Sequence, residues 1–257
     1  IVRAHWIVAF AYRVQYLITL VLSPLRFAIL WIIWNAIYAA NEGASIGGYT
    51  LQEMLQYLVI IQIIQVLTFT MIEQEFNDLV KRGNFLQYLL RPLNYIWYGM
   101  IQQLSGRLFS VFSEVIPLLL ILFVVFGQVI AVSHLHWLIL SIILAFFVNY
   151  FLKILVASLV FWLGDIRSLG YITNFTIGIA AGSIAPVVFF PHWLQTALEY
   201  LPFSSILYTP AVIYQSTTPV MQIYQLLGIQ LFWCVILCVL TMWVWNRALL
   251  KFRGDGA

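Results

Sequence analysis

Charge is what this sequence has least of. Only 8% of its 257 residues are charged, whereas a soluble domain carries about 25%. So few charged side chains could not cover the surface of a water-soluble fold of this length. A soluble enzyme, a nucleic-acid-binding module and a disordered chain are therefore excluded at the outset. Cysteine is nearly absent too. Cys234 and Cys238 sit one helical turn apart in an apolar run, which supports neither a disulfide framework nor a zinc site. Short alternating strands with a polar face are also missing, and this argues against a transmembrane barrel.

What is abundant is apolar length. Hydrophobic residues make up 63% of the chain and aromatics 17%, and the mean hydropathy is +0.98. In lipid every backbone polar group must be satisfied internally, so long apolar runs predict membrane-spanning helices of about 20 residues. The expected fold class is an all-α polytopic membrane protein, a single transmembrane domain over 1–257 with six spans. Residues 1–22, interrupted by Arg3, His5, Arg13 and Gln15, read as an interfacial helix. Spans one and two occupy 23–72. The first opens at Ser23-Pro24 and the second, about 51–72, is N-capped by Thr50 with Glu53 as capping-box partner. The region 95–189 holds spans three to five, at about 104–126, 138–163 and 169–189. Pro191, Pro202, Pro210 and Pro219 break 190–219 into short helices that dip back into the outer interface. The sixth span, about 220–246, leads into a tail ending at 257. The chain begins at Ile1 rather than Met, so its natural start is expected upstream, and no cleavable signal peptide is visible.

The few charges are not scattered evenly. Six spans put both termini on one side, and all 12 basic residues fall on that side or in the span halves nearer to it. The opposite loops, 41–50, 127–137 and 190–219, contain no Lys or Arg. The positive-inside rule makes the termini cytoplasmic.

Six of the 21 charges lie in 73–94. Phe76, Leu79 and Val80 form one apolar ridge, and Phe85, Leu86, Leu89 and Leu90 form another beyond Gly83. This predicts two short amphipathic helices hinged at Gly83 and stopped at Arg91-Pro92. Such a helix can dock on a soluble partner through its ridge, with Glu73, Glu75, Asp78, Lys81 and Arg82 setting register. It can equally lie flat on the membrane, and the residues alone leave both readings open.

Two motifs narrow this. The segment Gly83-Asn84-Phe85-Leu86-Gln87-Tyr88-Leu89-Leu90-Arg91-Pro92-Leu93 resembles the G-x-F-x-x-x-L-L-R-P-L signature of a bacterial family, the permease subunits of ABC transporters of the type-2 exporter class. Gly182 and Pro186, then Pro191, Pro202-Phe203 and Tyr208-Thr209-Pro210, are similar to that family's pattern between its last two spans, and Gln230 and Trp233 also fit. One departure is Gln215-Ser216, where many members carry Gly. The resemblance implies a bacterial inner-membrane exporter permease. Separate ATPase subunits, which hold the ATP and Mg, would bind the first cytoplasmic loop, here about Glu73–Arg82. A second permease, related or identical, would complete the pair. The chain itself lacks the G-x-x-x-x-G-K-S/T loop that cradles phosphates, so no cofactor is expected in it.

Gln56, Gln62 and Gln65 in the second span prefer a groove or a protein neighbour to lipid, and with Glu114 they make a possible translocation groove. Glu114 could pair with Arg107 or Lys153, or relay a proton, but snorkelling of Arg107 and Lys153 to the inner headgroups is the favoured reading. His134 and His136 lack accompanying acids and read as loop residues rather than metal ligands. Gly170, Gly178 and Gly182 favour close helix packing in the fifth span. An aromatic, weakly charged interior suits an amphiphilic or lipid-like substrate, with membrane lipids and no nucleic acid as further partners. The rivals are an ATP-independent channel or carrier and a membrane-embedded lipid-modifying enzyme. The first should show an internal repeat and the second clustered acids, His or Ser. Neither feature is found.

Overall fold

The structure, a computed structural model, describes residues 13–42, 44–90, 94–126, 134–215 and 219–254. Most of the expected interfacial helix before Arg13, the Arg91-Pro92 stop, most of the 127–137 loop and Ser216 lie outside the described residues.

The described residues are helical, apart from turns and a single isolated bridge between Ile46 and Tyr49. The chain runs through α1 (Arg13–Ala40), α2 (Leu51–Thr68), α3 (Ile72–Lys81), α4 (Leu86–Leu89) and α5 (Tyr95–Ser110). A π-helical turn, Val111–Val115, joins α5 to α6 (Ile116–Phe126). Then follow α7 (Leu135–Ser158), α8 (Val160–Leu163) and α9 (Arg167–Ala180). A 3-10 turn (Val187–Phe189) precedes α10 (His192–Tyr200), α11 (Tyr208–Tyr214) and α12 (Val220–Gly254).

Among the described residues, five helical stretches are long and apolar enough to cross a membrane: Leu22–Ala40, Leu51–Lys81, Tyr95–Leu120, Leu135–Leu163 and Val220–Phe252. The expected fifth span, 169–189, is not among them. Its helix, α9, stops at Ala180 after 14 residues, about 21 Å at a rise of 1.5 Å per residue. That falls short of a hydrocarbon core of about 30 Å. Gly182 ends it by turning left-handed, φ +80°, so Gly182 lies outside the helix face on which it was expected.

Two other expectations change. Ser23-Pro24 does not open a helix, because Pro24 lies inside α1, which runs unbroken from Arg13. A proline removes the donor to the carbonyl four residues earlier, here that of Leu20, and is tolerated in a spanning helix where a neighbouring helix packs close. Here the Gln62 amide of α2 donates to the Ser23 carbonyl (2.6 Å) and to its hydroxyl (2.8 Å). The stretch 95–126 likewise has no interfacial break. Helix α5 passes through the π turn directly into α6, and Glu114 sits in that turn.

α7 is the hub of the bundle and packs against α2, α3, α9, α11 and α12. A helix apolar around its whole circumference belongs in the middle, and Val148, Tyr150, Ile154 and Ala157 are fully buried. Near the other end of α7, Ser141 donates to the Gln230 side chain of α12 (3.0 Å), and the Gln230 amide donates to the Ser205 carbonyl (2.8 Å). At the Tyr49 end of the bundle, Phe189 packs on Trp34 and Tyr49, and Gln215 donates to the Tyr49 hydroxyl.

Candidate functional site

The site begins where α2 gives out. Thr68 turns its hydroxyl back onto the Ile64 carbonyl (2.8 Å), a bond that competes with the helix and tends to bend it. Phe69 then leaves the helical region (φ −60°, ψ 135°), and α3 starts at Ile72. The break exposes carbonyls at the negative end of the α2 dipole, where cations and donors are favoured. Three side chains meet them. Arg107 of α5 donates to the Val66 carbonyl (3.0 Å), and Asn149 of α7 donates to Thr68 (2.7 Å). Lys153 donates to the Thr70 carbonyl. Asn149 and Lys153 are four residues apart, so they share one face of α7.

Lys153 is therefore no snorkelling residue. Only 1% of its side chain is exposed, and its partner acid is Glu73, not Glu114, at 3.6 Å. Glu73, 0% exposed, also accepts from the Asn174 amide of α9 (2.9 Å). Two buried charges are tolerated here because they are paired and hydrogen-bonded. The fit against α9 is tight. A Cβ on Gly170 would stand 3.0 Å from Glu73 Cγ.

The rest of α3 is clamped to the turn between α8 and α9. The Asn77 side-chain oxygen accepts from the Ile166 N–H (3.0 Å), and Arg167 donates to Asp78 (3.1 Å). Lys81 forms an ion pair with Asp165. The hydrogen bond from Lys81, with help from the Arg167 backbone N–H, holds the Asp165 carboxyl below its ordinary 3.8.

This clamp reverses the expected orientation of the apolar ridge. Phe76 is fully buried in an aromatic box with Phe85, Tyr95, Phe161 and Trp245, and Leu79 packs on the same core. Phe76 and Glu73 cannot face a partner, because the bundle itself covers them. Exposed residues cluster further along, at Lys81, Arg82, Asn84, Leu86, Gln87 and Leu90. Leu90 is 87% exposed. Glu75 is also exposed and accepts from Gln103 (2.8 Å). Gly83 makes the predicted hinge with φ +71°.

Above the joint lies a cavity of about 640 Å³. Lys153, Asn149 and Asn174 form its floor beside Arg107, with Arg26 and Glu114 among its walls. Gln62 and Gln65 line it, and Gln62 is engaged by Ser23. Gln56 is not among its lining residues. From the region of the second motif, Ser183, Ile206 and Leu207 line the cavity, and the motif residues themselves lie around them. Tyr57 donates to the Gly182 carbonyl (2.8 Å). Pro186 precedes the 3-10 turn, Pro191 caps α10, and Pro210 lies in the first turn of α11. Pro202 is buried and Phe203 is half-buried. Trp233 donates to the Tyr200 carbonyl (2.8 Å).

The Glu73–Lys153 joint escaped the sequence reading. Its signal was the polar pair Asn149 and Lys153 on one face of an otherwise apolar helix, opposite Thr68 and Thr70.

No curated protein and no solved structure matches the chain. A family model described as ABC-2 family transporter protein matches residues 25–256, which includes every helix from the middle of α1 to the end of α12. With that match and its several membrane-crossing helices, the chain belongs to the ABC-2 family of transporter proteins as a multi-pass membrane permease.

Proposed function

We propose that this chain is the permease subunit of an ATP-driven exporter of the bacterial cytoplasmic membrane, working with separate ATPase subunits and a second permease. ATP and Mg belong to the ATPase subunits. One observation carries the reading. The densely charged segment folds as a tip whose apolar ridge is spent inside the bundle, while Arg82, Leu86 and Leu90 stay exposed. A tip held by Asn77, Asp78 and Lys81 can receive a push without collapsing, and its exposed apolar and basic groups suit a protein groove.

In this reading the Arg82 tip and both termini are cytoplasmic, and the Tyr49 end faces outward. The fifth crossing is made by α9 together with the irregular stretch after Ala180. Arg167 beside Asp78 at one end and Phe189 beside Tyr49 at the other support that path. Residues 190–219 re-enter from the outer side, a course supported by the Ser205 contact with Gln230, well inside α12. The cavity, ringed by apolar helices and floored by amides and paired charges, suits an amphiphilic, lipid-like cargo.

The test is co-purification of the tagged native chain with its ATPase, followed by an ATP hydrolysis assay. An Arg82→Glu/Leu90→Asp variant, altered only at exposed positions, should insert normally and lose the ATPase. A native chain that purifies without ATPase activity, or a variant that retains it fully, overturns the proposal.

A further inference from the structure

We propose that Glu73, Lys153 and Asn174 form the switch through which movement of α3 reaches the cavity wall. The inference rests on the coupling reading above and goes beyond it by assigning the transmission to three buried side chains. Glu73 stands on the helix next to the tip. Lys153 and Asn174 stand on α7 and α9, and both line the cavity. Glu73 Oε1 holds the two together, at 3.6 Å from the ammonium and 2.9 Å from the amide. α3 cannot shift without pulling on one or breaking from the other, and Gly170 leaves no slack on the α9 side.

The joint also contains a second set of acceptors. Thr70 Oγ1, Glu73 Oε2 and Asn149 Oδ1 are buried and carry no hydrogen bond among the described residues. An ammonium has three donors on a flexible stem. Lys153 uses the Thr70 carbonyl and Glu73 Oε1, and the other side-chain oxygen of each of these two residues carries no hydrogen bond. A small displacement of α3 can therefore trade Glu73 Oε1 for the unbonded Glu73 Oε2 at the ammonium. Such discrete re-pairing, rather than continuous deformation, is what carries coupling between distant sites. The floor of the cavity moves with the exchange, because Lys153 and Asn149 are part of it.

The test uses the full complex with its ATPase subunits. Spin labels are placed at Leu22→Cys on α1 and Ile172→Cys on α9, both exposed, with Cys234→Ser and Cys238→Ser as background. The distance between labels is measured with and without a non-hydrolysable ATP analogue and Mg. The parent should show a nucleotide-dependent shift that Glu73→Gln abolishes. The double variant Glu73→Gln/Lys153→Gln leaves no unpaired buried charge, so it decides the matter if the single variant does not assemble. It too should lose the shift. A shift retained in either variant overturns the proposal. Co-purified ATPase is quantified on each sample, so failed assembly is told apart from failed transmission. A parent that carries no ATPase, or shows no shift, sinks the coupling reading itself.

Discussion

Two glycines of the motifs do different work. Gly83 has φ +71° and open space around its missing Cβ, whereas at Gly182 (φ +80°) a Cβ would stand 2.7 Å from the Tyr57 hydroxyl. Gly83→Ala should therefore cost only the left-handed penalty, about 1–2 kcal/mol. Gly182→Ala adds a collision with the hydroxyl that bonds its own carbonyl, and it should lower the thermal midpoint in detergent by clearly more. Equal losses in the two variants would refute this reading. A similar contrast separates single from double changes at the buried ion pair. Glu73→Ala should cost about 3–5 kcal/mol, because it strands Lys153 in a dry site. Glu73→Ala with Lys153→Met should recover much of that in the same thermal assay.

At the scale of elements, α3 is held to the α8–α9 turn by charged groups at the protein surface. The Asp165 carboxyl is held below its ordinary value of 3.8, so its contribution is complete above that value. It is lost as pH falls through the depressed folded value. Asp165→Asn should therefore lower the melting temperature equally at pH 7 and pH 5, and the difference should fade only below about pH 4, since ordinary carboxylates titrate near there. Much of this element was legible in the sequence. The amphipathic spacing of Phe76, Leu79 and Val80 and the turn at Gly83 are visible in the sequence, whereas what covers the ridge is not. Periodicity shows that a face is apolar and says nothing about what covers it. The aromatic box comes from residues as distant in sequence as Phe161 and Trp245, and the Glu73–Lys153 pair likewise joins helices that sequence order keeps far apart. α9 misled for another reason. Its apolar composition continues to Phe190, but Gly182 and Pro186 stop the helix. Composition measured the crossing and missed the change of conformation within it.

For the whole molecule, apolar length and the scarcity of charge were enough to identify a helical membrane protein. The one-sided basic residues carry a further expectation. Single cysteines at Asn84 and at Ser45, in a background without Cys234 and Cys238, should be labelled by a membrane-impermeant maleimide from opposite sides. Asn84→Cys should react only after the cytoplasmic face is opened. Reaction of both from the outside would invert the topology. Gln56, Gln62 and Gln65 show where a one-dimensional reading stops. Gln62 ties down α1 beside Pro24 and lines the cavity, Gln65 lines it too, and Gln56 is not among its lining residues.

The buried charge pair also has a consequence for biogenesis. Lys153 follows Thr70 by 83 positions, and Glu73 emerges from the ribosome with Thr70. At about 5–20 residues per second, the acid precedes its counter-ion by roughly 4 to 16 seconds. For that interval the end of α2 and the start of α3 have neither Asn149 nor Lys153 to neutralise them, so they must wait in the aqueous vestibule or the headgroup layer. α7 is then both the hub of the finished bundle and the event that draws the first charged loop into place. Chains truncated before Lys153 should stay accessible at Glu73, and chains extended past Asn174 should close over it.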